Sequence, residues 1–254
     1  MKNIKFSFII PHKNSPKLLE RCLASIPRNE NIQIIVVDDN SSTNIVDFDH
    51  FPGKDEKCVE VYLTKAGKGA GYARNIGLKY ALGDWIIFAD ADDYFTDNAL
   101  SILNKQYKNN ADVVYFYSQS IYDDTKEKAD RANIYNSLVN AYLSDRTMEN
   151  KIRVGFLVPW AKMIKRYLIE KNNIQFDEVP AANDVYFAVL TGLAARCIDA
   201  VPETIYVVTV NRGSITRRRN YEIAYSQYYV NLKRNFYLKK AIYSAETQTF
   251  RLKI

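Results

Sequence analysis

The sequence predicts an α/β layered domain built on a mainly parallel sheet, on three observations. Apolar runs of strand length alternate with helix-period stretches from residue 5 to residue 118. One run, NIQIIVVDD (31–39), is continuously apolar at its centre, as in strands covered on both faces. Three strand candidates end in ordered polar residues, and ligands of open α/β sheets bind beyond the carboxyl ends of strands. With 254 residues, 47% hydrophobic and 25% charged, the chain can bury a substantial core.

Element by element, KFSFII (5–10) is the first strand. Ser15-Pro16 supplies an N-cap and a first-turn proline, and Leu18, Leu19, Cys22, Leu23 and Ile26 follow at helical spacing. The run 31–39 is the second strand and VEVYL (59–63) the third. ARNIGLKYAL (73–82) reads as a helix stopped at Gly83, and DWIIFAD (84–90) as the fourth strand. Thr96 caps a helix through about Tyr107, and DVVYFYS (112–118) is a fifth strand. Residues 119–150 are polar and mixed in charge, an insertion or loop region with one helix at 134–143. VGFLVPWAKMIKRYLIEKNNIQFDE (154–178) reads as strand then helix, and NDVYFAVLTGL (183–193) as a helix. RCIDAV (196–201) and ETIYVVTV (203–210) are two further strands. With no repeat, low-complexity tract or Pro/Gly linker, the reading is one continuous domain plus a tail.

Composition excludes several classes. Cys22, Cys58 and Cys197 are far apart and form no CxxC pair, which argues against a disulfide framework or zinc site and for a reducing compartment. The amino-terminal run FSFII is too short for a signal-peptide core, and no apolar run approaches the ~20 residues that span a bilayer. The expectation is a cytoplasmic protein without a transmembrane anchor. Its net charge of +6 is uneven: residues 211–254 carry ten Lys and Arg against two Glu, or +8, so the other 210 residues sum to −2. In that tail, Arg217-Arg218-Arg219 precede Tyr221, Tyr225, Tyr228, Tyr229, Leu232 and Phe236 at helical spacing. No recognised nucleic-acid module accompanies them, so nucleic acid is not expected as a partner. The tail either docks on the domain with its charges in water or lies, as a basic amphipathic helix, on the anionic inner face of the cell membrane. The two are compatible.

The polar strand ends carry the chemistry. The first reads Pro11-His12-Lys13-Asn14, the second Asp38-Asp39-Asn40-Ser41-Ser42 and the fourth Asp90-Ala91-Asp92-Asp93. The turn GKGAGYARN (67–75) enters the helix before the fourth strand, and its amides and Arg74 suit an anion. Any one of these segments alone reads as a turn. Together at one sheet edge they read as a site. The glycine turn is no dinucleotide fingerprint, because it follows the third strand and Tyr72 stands where the third glycine belongs. Asp90 and Asp92 alternate, so an extended chain turns both to one side, where paired hard oxygens suit Mg²⁺ or Mn²⁺ arriving with a diphosphate.

The motifs FSFIIPHKNS, IIVVDDNSS, GKGAGYARNIGLKYALGDWIIFADADDYF, PWAKMIKR and ANDVYF, in that order, resemble the family-2 glycosyltransferases with the GT-A fold, over roughly residues 5–215. The resemblance implies a catalytic domain at 1–215, with a Rossmann-like nucleotide-sugar half about 1–118 and an acceptor half about 150–215, followed by a basic, aromatic helical extension at 216–254. It also implies transfer with inversion of a hexosyl or N-acetylhexosaminyl group from a nucleotide sugar, most often a UDP sugar. The acceptor would be a glycan or lipid-linked chain in bacterial surface-polysaccharide or lipopolysaccharide synthesis, with Mn²⁺ or Mg²⁺ as cofactor. By position, Pro11 and Asn14 would shape the nucleotide pocket, Asp39 would hydrogen-bond the base, Arg74 would approach the nucleotide and Asp90 the ribose. Asp92 would ligate the metal and Asp93 position the donor or its loop. Asp184 would be the catalytic base, with Asn183 standing where the family usually has a second acid. Trp160 and Lys162 would line the acceptor side, the alternative being a core tryptophan and a solvated lysine, and Arg212 and Ser214 resemble a motif that closes over the diphosphate. His12 reads as a hydrogen-bonding residue beside the pocket.

Elementary chemistry asks for the same division of labour: a metal and cations for the leaving diphosphate, and one separate carboxylate for the acceptor proton. Two rivals fare worse. A sugar nucleotidyltransferase calls for a glycine-rich basic motif after the first strand, where this chain has PHKNSPK. A non-catalytic nucleotide-sugar-binding module has no use for both Asp92 and Asp184.

Overall fold

A computed structural model describes residues 4–210 and 220–251. The sheet forms where the sequence is most continuously apolar. β1 (Phe6–His12) and β2 (Ile32–Asp39) are buried at every position and pair in parallel, from Phe6 opposite Ile32 to His12 opposite Asp38. β3 (Val59–Thr64) pairs in parallel with β2, and β4 (Trp85–Phe88) in parallel with the other side of β1. Their carboxyl ends therefore emerge at one edge.

Four more strands complete an eight-stranded sheet: β5 (Tyr94–Phe95), β6 (Val113–Tyr122), β7 (Lys162–Lys165) and β8 (Ile198–Val210). The order is β3-β2-β1-β4-β7-β6-β8-β5. β7 runs antiparallel to both β4 and β6, β6 and β8 are parallel, and β5 is antiparallel to β8. The mostly parallel mixed sheet of the sequence reading is thus observed. RCIDAV and ETIYVVTV are not two strands but one, with the register shifting where Pro202 and Glu203 interrupt the pairing of Phe116 with Val201 and Tyr117 with Thr204. Proline cannot donate to a ladder, and a bulge accommodates it without ending the strand.

The helices follow the same logic with shifted boundaries. α1 (Pro16–Ala24) buries Leu19, Cys22 and Leu23, while Ser15 occupies the N-cap position without a side-chain capping bond. α2 (Ala70–Tyr80) starts earlier than expected, because Gly69, at φ +95°, turns the chain directly into it. α3 (Ala99–Gln106) starts after Asn98; Thr96, the expected cap, instead has its hydroxyl 2.9 Å from the Thr204 carbonyl. Residues 119–150 are more ordered than a loop: β6 continues to Tyr122, and α4 (Asn133–Ser144) is followed by α5 (Glu149–Gly155). The α4 residues Val139 and Tyr142 reach the core, too few in a polar stretch to give a strong helical period.

The strand expected from residue 154 is confined to β7, since α5 runs to Gly155. Arg153 ties α5 down by donating to the carbonyls of Gly192 (2.5 Å) and Ala195 (2.7 Å). α6 (Arg166–Lys171) follows β7 directly, then come α7 (Val185–Ala194) and α8 (Tyr221–Arg251). Phe176 and Phe187 stack at 3.8 Å, and both meet Phe88 edge-on at 5.0 and 5.5 Å. This aromatic contact sets the start of α7 against the exit of β4. Among the described residues, no helix is long and apolar enough to cross a membrane.

Close packing also fixes α2. A Cβ at Gly71 would lie 2.1 Å from the Asp177 carbonyl oxygen, a backbone atom that cannot swing aside. We expect Gly71→Ala to lower stability in urea melts by about 1–3 kcal/mol, and an unchanged midpoint would show that segment 177–184 yields freely.

Candidate active site

The strand exits are tied together before any ligand enters. His12 is buried; its Nε2 accepts the Ser15 amide (3.1 Å), which leaves Nδ1–H to donate to Asp38 Oδ1 (2.8 Å). Asp38 also accepts the amide and hydroxyl of Ser41 (2.9 and 2.5 Å). Burial alone would raise its pKa, but the bonds from His12 and Ser41 outweigh that and hold the carboxyl below its ordinary range. Asn14, at φ +54°, donates its amide to Ser41 Oγ (2.8 Å) and accepts the Ser42 amide (2.7 Å). Pro11 is buried within β1. The β1 and β2 exits are thus one rigid floor.

Asp39 completes that floor. Its Oδ2 accepts the Gly69 amide (2.8 Å) and lies 3.4 Å from Lys13 Nζ, while Oδ1 is buried with no partner among the described residues. A buried acceptor left unpaired costs about 1–3 kcal/mol, so this oxygen suits a donor brought by a ligand. Gly67 (φ +60°) and Gly69 shape the turn that carries the amide to Asp39.

Arg74 on α2 reaches across to both remaining segments. Its Nη2 donates to Asp90 Oδ1 (2.5 Å) and its Nη1 to Asn183 Oδ1 (2.8 Å), over the ring of Phe176. Asn183 therefore serves Arg74 as an acid would, without adding a negative charge beside Asp90 and Asp184.

At the β4 exit, one oxygen each from Asp90, Asp92 and Asp93 lie within 4.8 Å of one another. The three differ in surroundings. Asp93 is buried and accepts the Thr209 amide (2.7 Å) and a bond from Tyr206; burial, then the charges of Asp92 and Asp90, raise its pKa well above the ordinary value. Tyr206 in turn accepts the Asp90 amide (2.8 Å). Asp92 is pushed up to about 6, by burial first and by Asp90 second. Its backbone carbonyl accepts Arg21 Nη2 and the Thr209 hydroxyl, and Arg21 Nη1 also donates to Asp123 Oδ1 (2.6 Å). Hard carboxylate oxygens this crowded fit a divalent cation such as Mn²⁺ or Mg²⁺.

Sequence reasoning missed Arg21, Thr209 and Tyr206. They lie on α1 and β8, far along the chain from the acids they hold. Their own segments carry no local signal that points to the acids.

Asp184 stands at the N-cap position of α7, half-buried and making no side-chain capping bond. Burial raises its pKa and Asp90 adds to the shift, while Arg74 and Lys162 oppose it. Trp160 and Lys162 do not line an open cleft: each is 1% exposed. Trp160 packs among Tyr135, Phe156 and Tyr206, stacking on the last at 5.8 Å. Lys162 Nζ donates to the Phe156 carbonyl (3.0 Å) between the rings of Tyr115 and Phe156. Burial pushes its pKa down to about 7, against the opposing pull of Asp184. The apolar neighbourhood that makes PWAK a core segment is spread over α4, α5 and β8, which local sequence does not reveal. Arg212 and Ser214 lie outside the described residues.

The mixed sheet with its acid-bearing edge is a GT-A fold. Residues 1–349 of S. aureus TarS, solved in complex with UDP-GlcNAc, match with a TM-score of 0.66 at 21% identity, over 85% of this chain and 62% of that one. The Pyrobaculum calidifontis mannosyltransferase PcManGT, solved with GDP-Man and Mn²⁺, matches with a TM-score of 0.61 at 19% identity, over 84% and 59%. Residues 7–172 match the family model for glycosyl transferase family 2, and the chain belongs to that family. Among its relatives is the poly(ribitol-phosphate) beta-glucosyltransferase of Bacillus spizizenii, 28% identical over 216 residues; the match covers 82% of this chain and only 33% of that protein.

Two outcomes follow from the acid cluster. The folded Asp92 carboxyl, near 6, holds its proton more tightly than at its ordinary 3.8, so its ionised form costs stability that is absent below pH ~4 and fully present above pH ~6. In urea melts without divalent ions, Asp92→Asn should gain about 1–3 kcal/mol at pH 8 and nothing at pH 3.5. Arg21→Gln should weaken Mn²⁺-dependent nucleotide binding about tenfold in calorimetric titrations, as loss of an orienting partner does. An unaltered Kd would remove Arg21 from the site.

Proposed function

We propose that the chain is an inverting glycosyltransferase that moves a sugar from a nucleoside-diphosphate sugar, most simply a UDP sugar, to a hydroxyl of a cell-surface glycan or lipid-linked acceptor. One observation carries the reading: Arg74 joins the carboxylate cluster at the β4 exit to the Asn183-Asp184 start of α7. Metal-type acids and a separate, partly buried acid thus face one another across a single cation.

In this reading the base and ribose lie on the floor made by the β1 and β2 exits. Asp39 Oδ1 accepts a ring N–H of the base, and Asp90 contacts the ribose. Asp92 would hold a divalent cation, with Asp93, bonded to Thr209 and Tyr206, fixing the loop beneath it. When bound, Mn²⁺ or Mg²⁺ neutralises charge on the leaving diphosphate. Arg74 adds positive charge from the protein side.

Asp184 takes the acceptor hydroxyl proton as that oxygen bonds to the anomeric carbon and the carbon–phosphate-oxygen bond breaks, its electron pair leaving with the diphosphate. Attack from the face opposite the leaving group inverts the anomeric centre. The raised pKa of Asp184 makes it a better base than an ordinary aspartate, and the neighbouring Arg74 and Lys162 keep enough of it ionised.

Asp184→Asn should lower kcat by about 10²-fold or more, with calorimetric affinity for UDP and Mn²⁺ within about twofold of the parent. Transfer at the parental rate would reject Asp184 as the base. In the parent, EDTA should abolish turnover and excess Mn²⁺ restore it, whereas indifference to EDTA would reject the metal.

A further inference from the structure

α8 has two faces, and among the described residues only one packs against the rest of the chain. Ile223, Ser226 and Val230 are buried, and the same side continues through Lys233 and Tyr237. Lys233 pairs with Asp177 and lies 3.9 Å over the ring of Tyr186, while Tyr237 meets Tyr186 edge-on at 5.6 Å. The docked side therefore grips α7 at its first turn, immediately after Asp184. Asp177 donates its amide to the Asn183 carbonyl (3.1 Å), so α8 is held by the segment that carries the proposed base.

The opposite side repeats an apolar pattern of its own. Tyr221, Tyr225, Tyr228, Tyr229, Leu232 and Phe236 are all exposed, Tyr221 by 82% and Phe236 by 73%. Side chains three and four apart share a helix face, so these residues form one continuous stripe. Contiguous apolar surface of this kind marks an interaction site rather than ordinary scatter.

Charge selects the occupant. Residues 217–240 contain seven Lys and Arg, of which Lys233 is taken up by Asp177, and one acid, Glu222. Lys239 and Lys240, three and four positions past Phe236, prolong the stripe and are exposed. A second copy of the chain would set two such basic helices against each other. An anionic lipid surface offers both an apolar layer for the rings and negative headgroups for the cations, and tyrosine and phenylalanine suit that boundary.

We propose that α8 seats on an anionic bilayer through the Tyr221–Phe236 stripe, while its other face holds α7. The bilayer surface then lies about one helix diameter, roughly 10–12 Å, from the first turn of α7. Where the proposed transferase activity holds, the acceptor class this favours is a lipid-borne chain presented at that surface.

Sedimentation of chain 1–254 with vesicles tests the docking without requiring turnover. The parent should bind vesicles of phosphatidylcholine mixed with phosphatidylglycerol, and bind pure phosphatidylcholine about tenfold more weakly or worse. Tyr225→Ser/Phe236→Ser and Lys239→Glu/Lys240→Glu should each lose about tenfold in binding to the mixed vesicles. Circular dichroism and urea midpoints must match the parent for the comparison to count; a third variant, Tyr228→Ser, serves if either pair misfolds. Equal binding to both lipids, or stripe variants that bind like the parent, would overturn the proposal. So would a vesicle-free dimer in sedimentation equilibrium that the stripe variants dissolve. Failed vesicle binding with intact sugar transfer rejects only the docking. Intact vesicle binding without transfer rejects only the function.

Discussion

Two hydrogen bonds from Arg74 join the halves of the site, and much else is arranged so that they can form. α2 must approach the 177–183 segment closely, which is why Gly71 packs against the Asp177 carbonyl. α7 must begin at the β4 exit, which the Phe88, Phe176 and Phe187 cluster secures. The guanidinium is planar and keeps its charge when buried, so it can serve Asp90 and Asn183 at once where a lysine could not. Its two partners are one acid and one amide. That choice leaves the proposed base, Asp184, as the acid at the start of α7.

The acidic loop shows how a site can be unfavourable for stability and still be rigid. Asp90 raises the proton affinity of Asp92, and both raise that of Asp93. The loop does not relax outward, because its backbone is gripped on every side: Asp90 by Tyr206, Asp92 by Arg21 and Thr209. The protein holds these anionic groups together through neutral and cationic contacts to the main chain, and through donors to Asp90 Oδ1 from Arg74 and to Asp93 Oδ1 from Thr209. Strain of this kind is characteristic of functional positions, where preorganisation is worth more than a relaxed ground state.

How much of this was legible in the sequence depended on the range of the interaction. β1, β2 and β4 are continuous apolar runs ending in polar residues, and those signals are local. The same holds for the glycine turn into α2 and for the acids themselves. α5 and the single bulged β8 were misread because their neighbours decide them: Arg153 bonds to the end of α7, and β6 carries β8 past Pro202. The site divided in the same way. The residues proposed to meet a ligand sit at strand ends and announce themselves. Arg21, Thr209 and Tyr206 act on Asp92 and Asp93 from over seventy or one hundred positions away, and Trp160 and Lys162, which the family resemblance sets on the acceptor side, are buried by rings scattered along the chain.

The unpartnered Oδ1 of Asp39 gives the floor a chemical polarity. A buried carboxylate oxygen can only accept, so it welcomes a heterocycle whose ring nitrogen bears hydrogen and repels one that presents a lone pair. Uracil and guanine are of the first kind; cytosine and adenine are of the second, and could meet this oxygen only through their exocyclic amino groups. A pocket that leaves an acceptor unsatisfied discriminates far more sharply than one that merely fits a shape. On the proposed reading, the donor's base would therefore be screened by the direction of one hydrogen bond before its sugar reaches the acids.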